Sequence, residues 1–144
     1  MHIGFSGTRT GLTDRQFVVV ERTLEYFYAP DYNVFHHGDC IGADAQAHVI
    51  AKKLGYDIVI HPPINPNQRA YMGDAADVKT PKEYLQRNKE IVLDSVLMVL
   101  APGQMNELPK GSGTWQTFRY CTSIGKNYIL IYPNGEVQLR IAIP

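Results

Sequence analysis

The sequence predicts a three-layer α/β fold: a central, mainly parallel sheet of about five strands plus a C-terminal edge strand, with helices on both faces. Three observations carry this. Short apolar runs alternate with segments whose apolar residues recur at helical spacing, so strands are joined by crossover helices. Residues 95–101 (SVLMVLA) are almost continuously apolar, as a parallel strand covered on both faces requires. Glycine-rich loops interrupt the pattern where strands give way to helices.

The elements follow in order. Residues 2–6 are a first strand, and TDRQ at 13–16 is a capping box opening a helix with Phe17, Val20, Leu24 and Phe27 at helical spacing. After Pro30-Asp31, residues 33–36 read as a second strand, followed by the loop HGDCIGAD and a helix with Ala47, Ile50, Ala51 and Leu54 inward, stopped by Gly55. Residues 57–61 are a third strand closed by Pro62-Pro63. The polar stretch over 65–79 shows no period and reads as a long excursion. Thr80-Pro81-Lys82-Glu83 combines an N-cap, a proline at the first helical position and a glutamate at the third, which predicts a helix from there to about Leu93. The apolar run over 95–101 comes next. The turn GSGT at 111–114 opens a helix through Trp115, Phe118 and Cys121, with Trp115 placed in the core, and Gly125 ends it. Residues 128–132 form the last central strand, and Pro133-Asn134-Gly135 turns the chain into an antiparallel edge over 137–143.

The chain has 144 residues, which fits one domain spanning 1–144, and its 14 basic and 14 acidic side chains cancel. No global field draws it to nucleic acid or an anionic membrane, so neither is predicted as a partner. The opening MHIGFSGTR lacks a basic, apolar leader and no stretch is long enough to span a bilayer, so a cytoplasmic location is expected. Cys40 and Cys121 are far apart and are expected as free thiols.

Ligands of parallel sheets sit beyond the carboxyl ends of the strands, and three loops there share one chemistry. Glycines let backbone approach an anion closely, and the following helix aims free N–H groups and its positive dipole end at it. The first loop offers Ser6, Gly7, Thr8 and Arg9; the second offers His37, Gly38, Asp39, Gly42 and Asp44; the third offers Gly111, Ser112, Gly113 and Thr114. Tyr84, Arg87, Asn88 and Ile91 fall on one helix face, so Arg87 and Asn88 are ligand candidates beside Arg9. Arg69 and Tyr71, in the excursion, are placed as a closing lid. His36 and His37 point to opposite faces of a strand, so no metal site is expected, and no cofactor is called for. Nothing deprotonates Cys40, which argues against a thiolate nucleophile.

The combination of GFSGTR, HGDCIGADAQAH, YLQRN and GSGTW, spanning nearly the whole chain, resembles the SLOG superfamily. These are Rossmann-like nucleotide-binding proteins that include the Smf/DprA and LOG families, and the chain is most similar to their small stand-alone bacterial and phage type. The resemblance implies a nucleotide or nucleotide-derived phosphorylated ligand. It also leaves room for a homo-oligomer, since related families commonly dimerise through helices beside the cleft. LOG enzymes cleave the bond between a base and ribose monophosphate, using an arginine on the helix before the central strand and a glutamate after a PGGxGT turn. Arg87 stands at the arginine position. Pro102-Gly103 resembles the start of the turn, but residues 104–110 are inserted, and Thr117 stands where the glutamate is expected.

A threonine cannot do a carboxylate's work. If the chain is a hydrolase, Arg87 must act with another acid, and Asp44, Asp39 and Glu107 are the candidates for steadying an oxocarbenium-like sugar or protonating the departing base. Intact phosphate loops without the glutamate favour a sensor or sequestering module; N-glycosidic hydrolysis of a nucleoside monophosphate is the alternative. Single-stranded DNA binding in the manner of DprA is disfavoured by the zero net charge.

Overall fold

The computed structural model of the chain describes residues 1–108 and 110–142. β1 (His2–Gly7) leads into α1 (Asp14–Phe27), capped as predicted: the Gln16 N–H donates to the Thr13 hydroxyl and the Thr13 N–H to the Gln16 side chain, each at 3.1 Å. β2 (Val34–His37), α2 (Ala43–Leu54) and β3 (Asp57–Ile60) follow. The excursion holds a 3-10 turn (Pro66–Gln68) and β4 (Asp77–Val78), and the chain closes with α3 (Tyr84–Asp94), β5 (Leu97–Ala101), α4 (Gly113–Ile124), β6 (Asn127–Ile131) and β7 (Val137–Arg140).

The seven strands form one sheet in the order β4-β3-β2-β1-β5-β6-β7, parallel throughout except where β7 pairs with β6. From β1 to β3 the chain steps outward in one direction. It then returns across β1 to lay down β5 and β6, so the loops leaving β1 and β5 diverge at a topological switch point. Strand alternation divides the core in two. Ile3, Phe5, Phe35, Ile58 and Val99 face Val20, Leu24, Ala47, Ile50 and Ala51 of α1 and α2. Met98, Leu100, Tyr128 and Leu130 face Ile91, Val92, Trp115 and Cys121 of α3 and α4. Each fully buried Val, Leu, Ile, Phe or Met of these sets contributes roughly 1.5–3 kcal/mol. The expected three layers are therefore present.

Polar groups pin the layers where the site lies. Gln16 is fully buried, and its amide nitrogen donates to the Pro102 and Ile131 carbonyls at 2.7 and 3.0 Å, tying the start of α1 to the ends of β5 and β6. No described helix is long and apolar enough to cross a membrane.

Three expectations are corrected. The sheet has a further strand, β4, whose two residues are too few to show a period. The predicted helix start at Thr80 is extended backbone instead, and α3 begins at Tyr84 after an N-cap at Glu83 that makes no side-chain cap. Lys82 has been claimed by the sheet edge: its N–H donates to the Pro62 carbonyl at 3.3 Å and its carbonyl accepts from the Ile64 N–H at 3.2 Å. Tertiary pairing outweighs a local cap of about 1 kcal/mol. The expected edge strand over 137–143 ends at Arg140, and Ile143 lies outside the described residues.

Candidate functional site

At the switch point a cavity of about 580 Å³ opens between the loop after β1, the β2–α2 loop, the start of α3 and the turn before α4. That volume suits a nucleotide-sized molecule. Ser6, Gly7, Thr8, Arg9, Gly38, Asp44, Arg87, Asn88, Gly111, Ser112, Gly113 and Thr114 all line it, so the three glycine loops and the α3 face do converge. His37, Asp39, Gly42, Arg69 and Glu107 do not line it.

The loop after β1 is folded onto its neighbours by backbone bonds. The Thr8 N–H donates to the Ala101 carbonyl at 3.1 Å, and the Thr8 carbonyl accepts from the N–H groups of Gly11 at 3.2 Å and Ala43 at 3.0 Å. The Thr8 and Thr10 hydroxyls pair at 2.9 Å on the cavity side. Gly42, outside the wall, shapes it: the residue has φ of +90°, and a Cβ there would collide with the Arg9 carbonyl. Arg9 is exposed, and among the described residues no carboxylate pairs with it; its guanidinium carbon lies 5.5 Å from the Tyr84 ring centre.

Opposite stands the N-terminus of α4. The Ser112 hydroxyl accepts from the Trp115 N–H at 3.4 Å, which leaves the Gly113 and Thr114 N–H groups without an intrahelical acceptor and directed out of the first turn. An added Cβ at Gly113 would land on the Tyr84 hydroxyl, so glycine is what lets α3 and α4 meet here. Thr117 donates to the Gly113 carbonyl at 2.8 Å, a helix-internal bond.

Arg87 is 3% exposed and mostly spent on the protein. Its Nη1 donates to the Gly38 and His61 carbonyls at 2.7 and 3.2 Å, Nε to the Asn88 amide oxygen at 2.9 Å, and Nη2 to the Cys40 sulfur at 3.6 Å. One Nη2 N–H is then left for a ligand among the described residues. Asp44, the carboxylate on the cavity wall, accepts the Gly38 and Cys40 N–H groups at 3.1 and 3.2 Å through Oδ2. Burial pushes its pKa up to about 6, against the pull of Arg87 and of those two N–H bonds. Burial likewise pushes the Cys40 thiol up, with Asp44 adding to it, so sulfur there stays protonated.

The other candidates are held elsewhere. Asp39 has φ of +55° and is fully buried, and its carboxylate turns away from the cavity to accept from Arg69 Nε at 2.8 Å and the Met72 N–H at 3.0 Å. Arg69 is thereby fixed to the outer side of the β2–α2 loop, its guanidinium 4.6 Å from the Tyr71 ring centre, and no excursion residue borders the cavity. In this structure Arg69 braces that loop rather than covering the cavity. His37 points to the α1/α2 face, where its Nδ1 accepts from the Asp39 N–H at 2.9 Å and its Nε2 meets His48 Nδ1 at 2.9 Å. Glu107 lies on the surface, paired with Arg119 at 2.9 Å. Sequence reasoning did not select Thr10, Gly103, Gln104 and Gln116, all on the wall. The Pro102-Gly103 pair was the one available signal for that side, and the insertion after it hid the rest.

In fold, the chain is similar to the molybdenum cofactor binding protein from the phototrophic bacterium Rippkaea orientalis, with 18% identity and a TM-score of 0.63 over 91% of this chain and 74% of that one. No protein-family model and no curated protein matches the chain. At that identity the likeness establishes the fold, a Rossmann-like α/β architecture.

Proposed function

We propose that the cleft binds a small phosphorylated ligand of nucleotide type, as a sensor or sequestering module. The observation that carries this reading is the convergence of the α4 N-terminus, the Thr8 and Thr10 hydroxyls and Arg9, which pairs with no carboxylate among the described residues, on one cavity of about 580 Å³. A phosphate satisfies all three at once. The protein of similar fold binds molybdenum cofactor by its name, which supports small-molecule binding by such an architecture. The likeness of the GFSGTR, HGDCIGAD and GSGTW loops to SLOG proteins supports a nucleotide-derived ligand within that class.

Hydrolysis is the second reading, favoured by one observation. Asp44 is a buried carboxyl with a pKa of about 6 on the cavity wall, poised to give or take a proton near neutrality. Asp39 and Glu107 face away from the cavity, so Asp44 is the acid this reading would use with Arg87. Incubation with a panel of nucleoside monophosphates, followed by chromatography for free base, distinguishes the two. Binding without base release is expected; prompt turnover abolished by Asp44→Asn would replace the sensor reading with the hydrolase.

A further inference from the structure

Beneath α3, away from the cleft, three histidines cross the sheet in a row. His2 Nδ1 meets His36 Nε2 at 2.8 Å, His36 Nδ1 meets His61 Nε2 at 2.8 Å, and His61 Nδ1 meets the Glu90 carboxylate at 2.6 Å. Tyr32 touches the outer end at His2 Nε2, 3.3 Å away, and Lys82 pairs with Glu90 at the other. Asp94, one helical turn beyond Glu90, completes a group with His36 and His61 whose ligand atoms all lie within 4.8 Å of one another.

Proton bookkeeping along this row is restrictive. Glu90 is an acceptor, so His61 Nδ1 carries the proton and His61 Nε2 presents a lone pair toward His36. If the His36 proton is on Nδ1, it fills the gap between the rings. If it is on Nε2, donated to His2, two lone pairs face each other at 2.8 Å and need a cation between them. We infer that His36 Nδ1, His61 Nε2 and the Asp94 carboxylate bind a divalent cation of the zinc class, exchanging for that bridging proton.

The chemistry around the position fits such an ion. Two imidazoles and one carboxylate are a zinc-type donor set, with a fourth position open to water beside exposed Asp94, which also gives the entry route. Four-coordinate zinc separates its nitrogen ligands by about 3.3 Å, so the two rings need part by only about half an ångström. The outer shell is already built: Glu90 accepts from His61 Nδ1, as in carboxylate–histidine–metal triads, and His2 stands ready to accept from His36 Nε2. Burial first, then His61, His2 and Lys79, depresses the pKa of His36 to about 3; burial, against the pull of Asp94 and helped by Lys79, Arg87 and Lys82, depresses that of His61 to about 4, so both are neutral and able to ligate at physiological pH. Of the nearby cations, Lys82 is paired with Glu90, Lys79 with Asp77, and Arg87 is bonded to the Gly38 and His61 carbonyls.

Cobalt(II) added to the chelator-treated full chain tests this directly. One equivalent should bind and give the intense visible absorption of a four-coordinate site, and zinc should displace it. Asp94→Asn, an exposed change that spares the fold, should weaken binding at least about tenfold; Glu90→Gln should weaken it about tenfold as an orienting residue. Arg9→Ala should leave it unchanged. A pale six-coordinate spectrum, no stoichiometric binding, or equal affinity in wild type and Asp94→Asn would overturn the assignment.

Discussion

Arg9 and Arg87 both approach the Tyr84 ring, at 5.5 and 5.4 Å, yet their surroundings give them different roles. Arg9 is exposed and has no carboxylate partner among the described residues, so Arg9→Ala should leave thermal stability within about 0.5 kcal/mol of wild type while weakening a phosphorylated ligand about tenfold or more. Arg87→Ala strips buried carbonyls at Gly38 and His61 of their donor and should cost roughly 2–4 kcal/mol in urea unfolding, whatever it does to binding. Asp44 gives a prediction of opposite sign. Its folded pKa of about 6 lies above the ordinary carboxyl value of 3.8, so the folded state holds its proton longer and stability falls as pH rises from 4 through 6. Asp44→Asn keeps an oxygen for the Gly38 and Cys40 N–H groups but not the charge. At pH 7.5 it should be more stable than wild type by about 1–3 kcal/mol, with little difference at pH 4. A loss of stability at both pH values would show that the carboxylate itself is needed.

At the scale of elements, α4 reports on the site and α3 on the buried histidines. Trp115 is the single tryptophan, buried in the first turn of α4 behind Gly113 and Thr114, so a ligand at that N-terminus should change its fluorescence. Trp115→Phe should abolish the signal and keep binding measurable by calorimetry. Under α3, His36 and His61 have folded pKa values of about 3 and 4, both below the ordinary imidazole value of 6.5. The unfolded chain therefore takes up protons that the folded one refuses between those values and 6.5; the stability is present above pH 6.5 and lost as pH falls toward 4. The groups facing the pair are His2, Lys79, Lys82, Arg87, Glu90 and Asp94. Their histidine contributions, on the order of 3 kcal/mol each, exceed the opposing one from Asp44. Urea midpoints in the presence of chelator should drop steeply from pH 6.5 to 4.5, and a flat profile would contradict the neutral assignment. None of this row was legible in the sequence. Period-2 alternation indicated only that His36 and His37 part company, while the neighbours of His36 come from β1, the end of β3 and α3, far away in the chain.

For the molecule as a whole, the alternation of apolar runs with helical spacing was enough to read the layers, because each strand and crossover helix buries its own stripe. The site was half legible. Loops that leave adjacent strands at the switch point reached the cavity, as their glycines and hydroxyls indicated. Asp39 and Arg69 were misplaced because their mutual ion pair, 30 residues apart in sequence, turns both away from the cavity, and no local pattern encodes that. The Thr80 cap failed for the same reason, since a sheet edge captured the segment. What we propose the fold assembles from these parts is an anion-binding mouth at the divergence of β1 and β5. Calorimetric titration of the full chain with nucleoside monophosphates, each paired with its dephosphorylated nucleoside, tests that claim most directly. At least one monophosphate should bind, with the matching nucleoside weaker by about tenfold or more; equal affinities within every pair, or no binding across the panel, would contradict a cleft built around phosphate.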